Sequence, residues 1–187
     1  SRYYAEILRA EGMNEFLATD ISKVTDASLA AYNVVILGDI PLTASQVTML
    51  TNWVNAGGDL IAMHPDKQLA GLLGLADAGT TLANGYMLVN TTVPPGSGIV
   101  NQTIQYHGSA DMYTLAGATP VAILYSNATT AAPGNAPAVT IRNVGTNGGQ
   151  AAAFTYDLAR WIVYTRQGNP AWAGQERDGQ LPIRSDD

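Results

Sequence analysis

The sequence predicts an α/β domain: a three-layer αβα sandwich around a mostly parallel sheet, closed by a C-terminal β-hairpin. Three observations lead there. Two short apolar runs without polar alternation, NVVILG (33–38) and LIAM (60–63), read as strands buried on both faces. A well-signalled helix separates them and a second helical pattern follows, which is the rhythm of parallel βαβ units. Near the C-terminus two further strand patterns flank the turn Gly145-Thr146-Asn147-Gly148-Gly149.

Taken in order, residues 2–11 place Tyr4, Ile7 and Leu8 on one helical face, with Gly12 positioned to end the helix. After the first strand, Thr43 caps the next helix while Gln46 reaches back to the Thr43 amide, and Leu42 staples onto Val47. Val47, Leu50, Trp53 and Val54 form the buried stripe of that helix, and Gly57-Gly58 stop it. Leu69, Leu72 and Leu73 mark the helix after the second strand. From residue 80 the pattern changes to short strands, YMLV (86–89), TIQY (103–106) and VAILY (121–125), between Gly-, Pro- and Asn-rich loops. AVTIRNV (138–144) and QAAAF (150–154) make the hairpin, and Leu158, Trp161 and Ile162 lie on one face of the last helix. No repeat or linker divides the chain, so residues 1–187 are expected to form one domain with a surface-wrapping tail at 167–187. The chain opens directly on a helix, which suggests a module of a larger protein.

Composition narrows the function classes. The 187 residues are 47% hydrophobic, enough for one full core. The formal charge is -6 and no Lys or Arg lies between Lys67 and Arg142, so no basic stripe is present to hold nucleic acid. No apolar stretch approaches the roughly 20 residues that span a bilayer, so no membrane insertion is expected. The absence of cysteine excludes disulfides, zinc-thiolate sites and thiol nucleophiles. Abundant Asn, Thr, Gly and Ala, with a loop such as SNATTAAPGNAP (126–137), give the look of a secreted bacterial surface module whose partners are other domains of the same chain.

The order of elements over roughly residues 1–165 resembles the class I glutamine amidotransferase-like fold, a flavodoxin-like sandwich, and within it the trehalose-utilisation (ThuA-like) branch. WVNAGGDLIAMH, a helix ending in Gly-Gly and a strand closing on His64, is similar to that branch, as are Ala110-Asp111-Met112-Tyr113 and the hairpin running into the last helix. The resemblance implies a first strand ahead of the first helix, which this chain lacks, and a link to carbohydrate. It also implies a Cys-His-Glu triad, and none of the three positions is retained: His64 stands at the nucleophile, Thr155 at the base and Asp157 at the orienting carboxylate. The backbone agrees, because the residue after the nucleophile usually donates to the oxyanion and here it is Pro65, which has no N–H. Losing one such donor costs about 10²–10³ in rate, and losing the thiol removes the chemistry.

The remaining candidates are polar residues at strand ends. His64 closes a strand where open α/β sheets place their ligand crevice, and it is either a site residue or a remnant tied to a neighbouring carboxylate. Asp66 shares its turn and joins it as a binding candidate. Asp39, in Gly38-Asp39-Ile40-Pro41, ends the preceding strand and falls at the same edge or serves only the turn. Asp157 either faces the crevice or caps the final helix. His107 and Asp111, with His64, offer donors that suit a divalent metal with open positions, or else local hydrogen bonds; no other cofactor is indicated. Tyr113 follows in the same segment. Trp161, Tyr164 and Trp172 are aromatics for a sugar ring, with Trp161 at core spacing and Trp172 the better exposed candidate. Two functions are expected: a catalytically degenerate module with a binding or structural role, or a hydrolase or isomerase on a carbohydrate-related substrate using His64 with Asp39, Asp157 or the His107/Asp111 pair.

Overall fold

A computed structural model describes residues 2–168. Helix α1 (Arg2–Ala10) is followed by a short helix α2 (Asp26–Leu29) and strand β1 (Val34–Leu37). Helix α3 (Ala44–Asn55) starts at the expected box: the Gln46 amide donates to the Thr43 hydroxyl at 3.3 Å and the Thr43 amide to Gln46 Oε1 at 2.9 Å. Leu50 and Val54 are fully buried under it, with Val47 and Trp53 packed beside them. Strand β2 (Asp59–Met63) leads into a 3₁₀ turn and the single-turn helix α4 (Ala70–Leu73), which Gly74 ends in the left-handed region.

The rest is extended. Strands β3 (Leu75–Ala83), β4 (Tyr86–Val89), β5 (Ile104–Gln105), β6 (Ser109–Leu115), β7 (Thr119–Tyr125), β8 (Pro137–Val144) and β9 (Gly149–Phe154) precede helix α5 (Leu158–Gln167). Seven strands form one sheet in the order β1-β2-β9-β8-β7-β4-β5, and β3 and β6 pair separately. Only the pairs β1–β2 and β2–β9 are parallel; β9–β8, β8–β7, β7–β4 and β4–β5 are antiparallel.

The three-layer sandwich with a mostly parallel sheet is therefore wrong: the sheet is mixed and curls into a half-barrel. The reason is the scarcity of crossovers. A parallel neighbour needs a connection of a dozen or more residues, and α3 is the one helix that supplies it between consecutive strands, joining β1 to β2. The expected second crossover helix amounts to one turn before Gly74, after which the chain enters the β3–β6 pair and an antiparallel meander. β1 is also not buried on both faces: it is the sheet edge, and Val34 and Ile36 stand exposed at 51% and 37%.

Core packing fixes what remains. One cluster joins α3 and α4 to the β1–β2–β9 face through Leu37, Leu50, Val54, Leu60, Leu73 and Ala151. A second lies under the antiparallel strands, where Tyr106 and Tyr156 rings meet at 5.4 Å and Trp161 packs edge-on against Tyr156 at 6.0 Å. On the opposite side of the parallel strands, α1 and α5 close over Met63 with Tyr4, Ile7 and Ala159. The hairpin strand β9 passes so close to the end of α3 that a Cβ on Gly149 would lie 1.9 Å from the Val54 carbonyl oxygen.

Candidate functional site

The three parallel strands β1, β2 and β9 end on one edge, and each carries a polar residue just past its last paired residue: Asp39, His64 and Asp157. This is the edge where open sheets bind ligands. Two further elements converge on it. Strand β6 docks there, with the Asp111 amide donating to the Thr155 carbonyl at 2.8 Å and a bridge between Ala110 and Tyr156. Helices α1 and α5 roof it, tied at their far ends by an Arg166–Glu11 ion pair.

His64 is the hub. Its amide still pairs with the Phe154 carbonyl at 2.8 Å, but its backbone has turned to φ 45°. Pro65 disfavours the right-handed helical region for the residue before it, and the left-handed alternative costs a residue bearing Cβ about 1–2 kcal/mol. The turn aims the imidazole between two carboxylates: Nδ1 lies 3.0 Å from Asp39 Oδ2 and Nε2 lies 3.5 Å from Asp111 Oδ2, without hydrogen-bond alignment in the second contact. Asp111 also sits 3.9 Å from Lys67 Nζ, which hydrogen-bonds Asp77 at 3.1 Å. That hydrogen bond is the main cause holding the Lys67 pKa above its ordinary value.

Beside this relay lies a cleft of about 380 Å³ lined by Tyr3, Tyr4, Asp39, Asp157, Arg160 and Tyr164, with Ala159 and Val163. Its volume is at the small end of the ~300–1,000 Å³ typical of ligand sites. Asp39 belongs to both the relay and the cleft. Asp157 caps α5, its Oδ1 accepting from the Arg160 amide at 3.0 Å. The Arg160 guanidinium lies over the Tyr164 ring at 5.0 Å, a cation–π contact, and Gly108 leaves space for its stem, since a Cβ there would stand 3.2 Å from Arg160 Cδ. Tyr4 is 8% exposed and its hydroxyl has no hydrogen-bond partner among the described residues. Its pKa is pushed up to about 12 by burial and by Asp157, with Asp39 adding and the facing Ala159 amide opposing. That amide faces the hydroxyl without reaching hydrogen-bond geometry.

The candidates from sequence thus separate. His64, Asp39 and Asp111 come together, and Asp157 shares the cleft with Asp39. Asp66 is committed to structure: Oδ1 accepts from the Gln68 amide at 2.9 Å and Oδ2 from the Leu42 amide at 2.8 Å. Burial opposes its charge, but these amides win and hold its carboxyl below the usual range. His107 parts from Asp111 and packs against the Tyr164 ring at 6.1 Å. Among the described residues no group of three His, Asp or Glu is arranged to hold a metal ion. Tyr113 is core, 1% exposed, its hydroxyl unpaired and its pKa raised by burial first and then by Asp111, Asp77 and Asp66. Thr155 is fully buried with its hydroxyl donating to the Pro137 carbonyl at 2.9 Å. Trp172 and the tail from residue 169 lie outside the described residues. Sequence reading missed Tyr3, Tyr4, Lys67 and Arg160 as site residues; the one local signal was the Asp157-to-Arg160 capping interval, which seats Arg160 in the first turn of α5.

No family model matches the chain, and no curated protein matches it. Among solved structures, the mmIFT52 N-terminal domain superposes with a TM-score of 0.61 at 15% identity, covering 86% of this chain and 80% of that one. An exo-β-1,4-mannosidase from Opitutaceae bacterium strain TAV5 gives 0.58 at 13% identity over 91% of this chain. The GH42 β-galactosidase Gan42B gives 0.52 at 15% identity over 74% of this chain. The chain spans only 21% of that galactosidase and 28% of the mannosidase. At these identities the likeness is one of fold alone. No helix among the described residues is long and apolar enough to cross a membrane.

Proposed function

We propose that this domain binds a hydroxyl-rich, carbohydrate-related ligand in the cleft between α1 and α5 without transforming it, as a catalytically degenerate module of a larger extracellular bacterial protein. The observation that carries this reading is the composition of the cleft. Asp39 and Asp157 each commit one oxygen to the protein, to His64 and to the Arg160 amide, and among the described residues neither commits the other. Sugar hydroxyls donate to such carboxylates and accept from a guanidinium, while Tyr3 and Tyr164 supply ring surface. Portions of two glycosidases share the fold, a weak pointer in the same direction. Against turnover stands His64, whose two nitrogens face carboxylates, and Thr155, whose hydroxyl is spent in the core.

The Asp39–His64 contact at 3.0 Å favours a second reading, since an oriented imidazole is half of an acid/base site. One experiment separates the two. Calorimetric titration with neutral monosaccharides and oligosaccharides is expected to give saturable binding that Asp39→Ala abolishes, with no release from 4-nitrophenyl glycosides. Glycoside turnover that disappears in His64→Ala would replace this reading by the hydrolytic one.

A further inference from the structure

We propose that the ligand of this cleft is an acidic sugar, a pyranose bearing a ring carboxylate, and that Tyr4, the Ala159 amide and Arg160 receive the carboxylate. The inference rests on the reading of the cleft as a carbohydrate site and names the class of sugar.

Three donors without protein acceptors among the described residues line the cleft at the start of α5. Tyr4 is more than nine-tenths buried, lines the cleft and has an unpartnered hydroxyl, an arrangement that costs stability unless something accepts from it. The Ala159 amide, in the first turn of a ten-residue helix, faces that hydroxyl, and the positive end of the helix dipole adds to it. Arg160 pairs with no carboxylate among the described residues, although Asp157 is three positions away; its guanidinium lies over the Tyr164 ring instead. Stacking on Tyr164 holds the guanidinium plane and leaves its N–H edge available. A guanidinium fork is matched to a planar carboxylate, giving two parallel charge-assisted hydrogen bonds.

The attraction of the Arg160 fork and the helix N-terminus works against the negative charge of Asp39 and Asp157. Their remaining oxygens suit hydroxyl donors, so one ligand with a carboxylate at one end and hydroxyls at the other satisfies both halves of the cleft. A neutral sugar leaves the Tyr4–Ala159–Arg160 corner unfilled.

The test compares glucuronate and galacturonate with glucose and galactose by isothermal titration of the intact protein, its Arg160→Gln variant and its Tyr4→Phe variant. The uronates are expected to bind about tenfold or more tightly than the parent sugars, with the gap narrowing as salt is raised. That ratio should fall to near one in Arg160→Gln, which is exposed and should leave folding intact, and fall partway in Tyr4→Phe. Equal binding of neutral and acidic sugars, or a preference that persists in Arg160→Gln, overturns the inference while the carbohydrate reading stands. Failure of every sugar to bind overturns both.

Discussion

Asp39 Oδ2 and His64 Nδ1 meet at 3.0 Å across the ends of two adjacent parallel strands, and the contact joins the His64–Asp111 pair to an open cleft. Asp39 and His64 do structural work whatever the cleft binds. A double-mutant cycle of Asp39→Asn and His64→Gln, read by urea denaturation, is expected to give a coupling of about 0.5–1.5 kcal/mol. Purely additive losses would show that the two residues do not interact in solution.

The backbone at His64 makes a separate prediction. At φ 45° a residue with Cβ is strained and glycine is not. His64→Gly should therefore be more stable than His64→Ala by about 1 kcal/mol, although both lose the imidazole. The reverse order would mean that the strand ends in some other conformation.

Asp66 sets an acid dependence. Its folded pKa is depressed, so its stabilisation is present above the unfolded carboxylate pKa of about 3.9 and is lost as pH falls through the lower folded value. Between neutral pH and about pH 3 the wild-type protein should lose more stability than Asp66→Asn, compared by denaturation midpoints at both pH values. At neutral pH Asp66→Ala should cost about 0.5–2 kcal/mol, as for a lost helix cap.

Gly149 tests the fit between hairpin and helix. A methyl group there meets the Val54 backbone at 1.9 Å, where no side chain can yield. Gly149→Ala should destabilise by the upper part of the roughly 1–3 kcal/mol expected of overpacking. A shift of the melting temperature within error would place β9 further from α3.

The sequence carried the local grammar well and the topology poorly. The Thr43–Gln46 box, the strands at Val34 and Leu60, the hairpin at Gly145 and the Asp157 cap all follow from short-range chemistry, and the structure has each of them. The β3–β6 pair was illegible because β3, LADAGTTLA, is nearly all exposed and shows no alternation of polar and apolar residues. Sheet direction was misread for a related reason: whether Leu69 to Leu73 form a full crossover helix or a single turn depends on where Gly74 lands, and the apolar spacing is the same in both cases. Within the site, Asp39 and His64 were legible as ends of adjacent parallel strands. Asp111 was singled out beside His107, but its contact with His64 depends on how β6 docks, which no spacing encodes. Tyr4 read as core because its buried face is core; only the unpaired hydroxyl marks it as part of the cleft.

The measurement closest to the central claim is a ¹H–¹⁵N correlation titration of the labelled protein with glucuronate. The account predicts saturable shifts centred on the amides of Asp39, Ala159, Arg160 and Tyr164, with the midpoint moved to that of glucose in Arg160→Gln. Shifts confined to other surfaces, or none up to the solubility limit of the sugar, would contradict it.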